Sequence, residues 1–343
     1  MTPGPASEAE LETRLVTPSP ALIADIAEGR GDLVILGAGG KMGPTLAVLA
    51  RNALDAAGRT SDAVYAVSRF GDAHIRERLT AGRVEVVPFD LIEADDLSTL
   101  PEAESVVFMV GAKFGAASSP SWAWAVNAAL PDRVARRYPR SAISALSTGN
   151  VYPFVSPATG GCSEDVDPSP IGEYAQSCLG RERIFEFAAQ ERGTRVSLVR
   201  LNYAIDLRYG VLADIGRAVF ADEPVSVDTG TVNVIWQGYA NEVVLRSLSR
   251  AKPDVFTVNL TGPEILNVEN IARRFGDMFG RDVQITGEPQ PTALLNDSRR
   301  CMALFGYPDV AADTLIEWQA SWISAGLPMT AKPTKWAVRD GKF

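Results

Sequence analysis

Three glycines, Gly37, Gly40 and Gly43, stand in "VILGAGGKMGPTLAVLARNAL" directly between an apolar run and a helical pattern. A strand that turns tightly into a helix aims that helix's first, unpaired amides at the turn, a ready site for a phosphate-type anion. Gly37 suits the tight turn, Gly40 lets the backbone approach a pyrophosphate, and Gly43 allows the helix to pack closely. Other chemistries find few residues. His74, in the surface-helix pattern "RFGDAHIRERL", is the only histidine, and Cys162, Cys178 and Cys301 show neither CxxC nor ligand spacing. A histidine-based triad and a Cys/His zinc site are therefore nearly excluded, and no metal is expected.

The elements that must carry this loop are legible in the pattern. From Asp32 the chain reads as short apolar runs, "DLVIL", "AVYAV", "VEVVPF", "SVVFMV", "SAISAL" and "RVSLV", separated by helical stretches. Strands apolar on both faces that alternate with helices form a parallel sheet covered on both sides. The fold class is α/β, a doubly wound parallel sheet of the Rossmann type. After Arg200 the alternation becomes irregular: "VNVIW" and "FTVNL" read as strands, "NEVVLRSLSRA" and "NVENIARRFGDMFG" as helices. This predicts a smaller, interleaved C-terminal lobe. The expected division is an N-terminal helical extension over 1–30, a dinucleotide-binding domain over 31–200, and a substrate lobe over 201–343 with segments returning to the sheet.

Composition narrows the partners. The chain has 343 residues, 46% of them hydrophobic, and a formal charge of -9. With no basic footprint, nucleic acid and anionic membrane are poor partners, and a small polar molecule or a second copy is expected. The acidic N-terminus lacks a positive region before an apolar run, and no apolar run is long enough to span a bilayer, so a cytoplasmic location is expected.

Taken in order, these segments resemble the extended short-chain dehydrogenase/reductases, the group that contains NAD-dependent sugar epimerases and dehydratases. The G-x-x-G-x-x-G loop has that family's spacing, with Lys41 and Met42 inside it. "VVPFDL" places Asp90 and Leu91 where the family contacts adenine, and "VVFMVGA" places Gly111 and Ala112 beside the cofactor ribose. "ALSTGNVYPF" resembles the strand end that holds the reacting oxygen, and "EYAQSCLGRERIFE" the helix bearing the catalytic tyrosine. The resemblance covers about residues 32 to 310. It implies a nicotinamide cofactor, with Tyr174 as acid/base, Thr148 bonding the substrate oxygen, and Ser147 and Asn150 at the same strand end. Ser68 and Arg69 stand where NAD-selective members carry an acidic residue, so NADP is favoured over NAD.

One position departs from the family. Where it has a lysine, four residues after Tyr174, this chain has Cys178. That lysine binds the nicotinamide ribose and lowers the tyrosine pKa. Without it, forming tyrosinate at pH 7 costs about 4 kcal/mol from a reference pKa near 10. An oxidation would suffer most; a reduction needs only a neutral acid. Lys113, after the fourth strand, is the candidate for a relocated cation, and Cys178 has no histidine to activate it as a nucleophile.

About 35 residues separate Arg200 from Trp236, a connection shorter than relatives use to clamp a nucleotide. A small sugar-like or hydroxy-carbonyl substrate is expected, with Asn202, Tyr203, Arg208, Tyr209 and Trp236 as pocket candidates and Arg208 suited to a carboxylate or phosphate. The helix containing Trp122 and Trp124, together with the Tyr174 helix, corresponds to the pair through which many relatives dimerise; the alternative is that both tryptophans are core. The leading expectation is an NAD(P)-dependent oxidoreductase or epimerase. A dinucleotide-binding sensor that has lost its chemistry, and a lyase or dehydratase with tightly held cofactor, stay open beside it.

Overall fold

The computed structural model describes residues 3–113, 115–330 and 334–342, and in it the apolar runs become strands of one sheet. These are β1 (Leu33–Leu36), β2 (Val64–Ser68), β3 (Glu85–Pro88), β4 (Ser105–Phe108), β5 (Ala142–Thr148), β6 (Arg195–Leu201) and β7 (Phe256–Leu260). Their spatial order is β7-β6-β5-β4-β1-β2-β3, and every neighbouring pair is parallel. The order reverses between β1 and β4, which opens a crevice at the carboxyl ends of the strands.

The helices are α1 (Glu8–Leu15), α2 (Pro20–Ala27), α3 (Gly43–Ala56), α4 (Ala73–Ala81), α5 (Pro120–Trp124) and α6 (Leu130–Arg137). After them come α7 (Gly172–Arg192), α8 (Val211–Phe220), α9 (Gln237–Arg246), α10 (Val268–Phe279), α11 (Arg299–Phe305) and α12 (Ala312–Ser324). Strand periodicity divides the core. Leu33 and Ile35 face one side with Leu46, Ala50 and Val243, while Val34 and Leu36 face the other with Val134 and Phe185. Successive residues of a strand point to opposite faces, so a strand covered on both sides must be apolar throughout.

The N-terminal extension forms two helices rather than a free arm. Ser7 and Ser19 cap them by accepting from the amides of Glu10 and Leu22, and Leu11, Leu15 and Leu22 are buried in the main core. The "FTVNL" run joins the main sheet beside β6. "VNVIW" does not form one strand: Thr231–Val232 pairs with Leu266–Asn267, and Ile235–Trp236 with Ala204–Ile205. The break falls at Asn233, whose side chain accepts from the Asn296 amide at 3.2 Å and donates to its carbonyl at 3.4 Å. The end of the described chain, Thr334–Lys342, has neither helix nor strand. No helix among the described residues is long and apolar enough to cross a membrane.

A buried ion pair locks the crevice floor. Glu182 on α7, fully buried, receives the Arg200 guanidinium of β6 at 3.0 and 2.7 Å. Arg200 also donates to the Tyr152 hydroxyl at 2.6 Å, and Tyr152 to the Asn259 side chain of β7 at 3.0 Å. Removing one partner would strand a charge without water. Glu182→Ala should therefore cost about 3–5 kcal/mol, read as a lower urea midpoint, whereas the double variant Glu182→Met/Arg200→Met should lose much less. Equal losses would contradict a desolvated pair.

Candidate active site

The glycine loop leaves β1 in a conformation closed to larger residues. Gly37 has φ 92°, and a Cβ there would lie 2.9 Å from the Val110 amide nitrogen at the end of β4. A Cβ at Gly43 would stand 2.3 Å from the Ala38 carbonyl oxygen, so the start of α3 can approach the turn only without a side chain. Gly40 faces open space, its nearest obstacle the Gly37 carbonyl at 3.4 Å. Among the described residues, the amides of Lys41 and Met42 find no protein acceptor. A short strand-to-helix turn thus offers free donors at the positive end of α3.

Around this loop the crevice is rich in charge. Lys41 stands at its mouth with the stem open to solvent, and its ammonium lies over the Tyr209 ring, 3.8 Å from the centroid. Burial of the ammonium draws its pKa down to about 8, with Asp206 opposing and Arg208 adding to the effect. At the end of β2 the Ser68 hydroxyl packs under Gly39, 2.6 Å from where a Cβ would stand. Arg69, 73% exposed, reaches the Asp90 carboxylate at 3.9 Å. Desolvation works against ionisation of Asp90, but the amides of Ile92 and Glu93, then Arg69, hold its carboxyl below the usual range. Leu91 is buried in the second core.

Beyond the loop, a cavity of 170 Å³ is lined by Lys113, Thr148, Asn150, Tyr174, Asn202 and Tyr203, with Ser147 at its edge. The ends of β4, β5 and β6 and the first turn of α7 meet there. The Thr148 hydroxyl accepts from the Asn150 amide at 3.2 Å and its side chain at 3.0 Å, and hydrogen-bonds with Tyr174. Burial pushes the Tyr174 phenol far above its ordinary pKa, the nearby Cys178 thiol adds to this, and the Arg181 charge opposes it. Tyr174 is therefore a neutral acid through the physiological range. The Lys113 ammonium lies 6.0 Å from the Tyr174 ring centroid. Burial brings its pKa down to about 8, against the Cys178 contribution and with that of Lys335.

Two residues that sequence reasoning passed over hold this arrangement. Asn127 lies in a π-helical turn, Ala125–Ala129, between α5 and α6. Its side-chain oxygen accepts from the Ala112 amide at 2.9 Å, and its nitrogen donates to the Ala112 carbonyl at 3.1 Å and the Ser177 hydroxyl at 3.0 Å. It thus clamps the Gly111–Lys113 segment to α7. Arg181, two turns after Tyr174, reaches the same oxygen at 2.8 Å. A π-turn often marks a functional site, but no residue type in "AVNAA" announces one.

Several expected site residues are engaged elsewhere. The Ser147 hydroxyl donates to Glu182 at 2.5 Å, which ties it to the buried pair instead of to a ligand. Arg208 does not line the cavity; Asp206 at 2.9 Å and Glu12 at 2.5 Å saturate it and fasten α1 to the lobe. Trp236 is turned away as well, 2% exposed and packed edge-on against Trp318 at 6.0 Å. Asn202 and Tyr203 line the cavity while bonding protein carbonyls, those of Leu294 and Trp336. Cys178 is fully buried with Val151, Tyr152 and Cys162. Trp122 and Trp124 are not core, being 41% and 40% exposed.

No protein-family model matches the sequence, and neither does any curated protein. Solved structures do match. A UDP-glucuronic acid 4-epimerase from Bacillus cereus, in complex with NAD, is 16% identical with a TM-score of 0.71, over 85% of this chain and 98% of that one. A UDP-glucose 4-epimerase from Thermotoga maritima, with UDP-glucose, is 14% identical with a TM-score of 0.69, over 86% and 99%. Pal from Bacillus thuringiensis is 12% identical with a TM-score of 0.71, over 86% and 99%. At these identities the likeness is one of fold: the chain has the doubly wound, Rossmann-type α/β architecture that these solved structures share.

Proposed function

We propose that this protein is an NAD(P)-dependent oxidoreductase or epimerase acting on a small sugar-like or hydroxy-carbonyl compound. The observation that carries this reading is the meeting of Tyr174, Thr148 and Lys113 at one cavity beside the glycine loop. The residues present fit a dinucleotide. Free amides at Lys41 and Met42 suit its pyrophosphate, and the open face of Gly40 leaves room for it. When bound, a nicotinamide supplies or accepts a hydride. Thr148 and Asn150 orient the reacting oxygen, and Tyr174, held neutral by burial, gives it a proton. That protonation state favours the reductive direction.

The substrate is small because the chain fills its own cleft. The Thr334 hydroxyl donates to Asp214 at 2.6 Å, the Tyr203 hydroxyl to the Trp336 carbonyl at 3.1 Å, and Arg339 to the Thr292 carbonyl at 2.7 Å. These contacts draw the Thr334–Lys342 strap across the substrate side. The remaining 170 Å³ is below the ~300 Å³ at which pockets for drug-sized ligands begin. A nucleotide sugar, the ligand bound in the B. cereus and T. maritima enzymes, needs more room than this.

Arg69 is the residue that selects the cofactor, through the 2′-phosphate of NADP. NAD is the form held by the B. cereus enzyme, but β2 here ends in Ser68 and Arg69, placing a guanidinium at that strand end with the Asp90 carboxylate 3.9 Å from it. A homodimer is the assembly that suits the exposed Trp122, Trp124 and Phe187 side chains on α5 and α7.

Calorimetry on cofactor-free protein should give tighter binding of NADP than of NAD, and Arg69→Ala should weaken NADP about tenfold or more with little effect on NAD. Failure of both dinucleotides to bind would end this reading. Tyr174→Phe should leave binding intact and lower reduction of hydroxy-carbonyl test compounds by about 10²–10⁴. In protein labelled by reductive ¹³C-methylation, the Lys113 and Lys41 signals should titrate near 8. Lys113→Met should delete one of them, and a midpoint near 10.4 for Lys113 would mean that its ammonium is solvated. For the dimer, Trp122→Glu should convert the sedimenting species to monomer; a monomeric parent protein would contradict the pairing.

A further inference from the structure

Arg181 is a buried cation without a counter-ion. It is 5% exposed, and among the described residues no carboxylate pairs with it; its neighbour Glu182 is committed to Arg200. The guanidinium is held by neutral groups: the Leu146 carbonyl at 2.6 Å, the Asn127 carbonyl at 3.4 Å, the Asn127 side chain at 2.8 Å, and the Phe108 ring, 5.4 Å away at its centroid. Keeping a full charge from water without an ionic partner is costly, and a fold that only needed packing there would use an apolar side chain.

Its position gives the charge a use. Tyr174, Cys178 and Arg181 follow one another at helical spacing along a single stripe of α7. The stripe faces the carboxyl ends of β4 and β5, where Arg181 bonds Leu146 and lies under Gly111. A Cβ at Gly111 would be 3.3 Å from the guanidinium and 3.7 Å from the Asn127 side-chain oxygen, so the Gly111 backbone, at the end of β4, packs directly against Arg181. The same charge acts on both Tyr174 and Cys178, opposing the effect of burial on each.

We propose that Arg181 is the electrostatic positioning residue of this site: it supplies from beneath the floor the fixed positive charge that the chain lacks at Cys178, and thereby favours the reduced over the oxidised nicotinamide. This rests on the dinucleotide reading above. A bound reduced nicotinamide would supply a hydride, with its two electrons, to the carbonyl carbon; Tyr174 would supply the proton to the oxygen, and the oxidised ring would carry a positive charge. A fixed cation nearby disfavours that oxidised ring and leaves the neutral reduced ring unaffected, so it keeps the hydride-donor form in the site while opposing hydride loss from it. Arg181 also stabilises negative charge developing on the Tyr174 oxygen as the proton leaves.

The test compares dissociation constants for NADPH and NADP in the parent protein, Arg181→Gln and Arg181→Lys. The ratio of the oxidised to the reduced value should fall about tenfold in Arg181→Gln, through tighter NADP binding, and stay near the parent value in Arg181→Lys. A purely structural arginine would weaken both forms alike. Asn127→Asp provides a second route that keeps the guanidinium: a carboxylate beside it cancels the charge and should lower the ratio likewise. An unchanged ratio in Arg181→Gln, or in Asn127→Asp should the first variant not fold, overturns the proposal while leaving the cofactor reading intact. Absence of binding by either form to the parent protein overturns that reading instead.

Discussion

The buried pair between Glu182 and Arg200 sets the geometry on which the site depends. It joins the middle of α7 to β6, and through Tyr152 and Asn259 it extends to β7. A second branch, the Ser147 hydroxyl, fixes the end of β5. Tyr174 projects from the same helix two turns earlier, and Thr148 follows Ser147 in the same strand, so one ion pair determines how a phenol and a hydroxyl face each other. Its desolvation is tolerable only because each oxygen of the carboxylate is matched by a guanidinium N–H, with further bonds from Ser147 and to Tyr152. The electrostatics of the crevice begin there: Glu182 and Arg200 neutralise each other, which leaves Arg181, the residue before Glu182 on α7, as a net charge.

From this anchor the remaining parts are positioned by backbone contacts. Asn127 uses its amide in full, with two bonds accepted and two donated, to hold Ala112 against α7. Lys113 follows immediately and is carried over Tyr174. On the opposite side the strap completes the enclosure, Gly341 packing against Gly172 at the first turn of α7. The enclosure is what raises Tyr174 and lowers Lys113, since burial is the largest influence on each. A tyrosine that stays protonated beside a lysine near neutrality is an acid with a proton source close by.

The sequence was most legible where local periodicity decides structure. The apolar runs became parallel strands because two-sided burial leaves no polar position in them, and the glycine triplet lay at the first turn because only glycine tolerates that approach. It was least legible where partners come from far along the chain. Arg208 looked free for an anion, but Glu12 binds it from 196 residues away. Ser147 is expected at the ligand-facing strand end beside Thr148, yet its hydroxyl donates to Glu182. Trp236 looked like a pocket wall, and Trp318 claims it. Arg181, three residues after Cys178, carries no local signal, since nothing near it in sequence indicates that its neighbour Glu182 pairs with another arginine.

In the function proposed above, the glycine loop, Tyr174 and Thr148 serve one bound dinucleotide whose nicotinamide end lies in the cavity. A crystal structure of the protein with NADPH tests this most directly. The pyrophosphate should lie on the Lys41 and Met42 amides and the nicotinamide ring beside Tyr174, under the strap of residues 334–342. A dinucleotide bound with its nicotinamide turned out to solvent, and the cavity beside Tyr174 left without it, would overturn the proposed function.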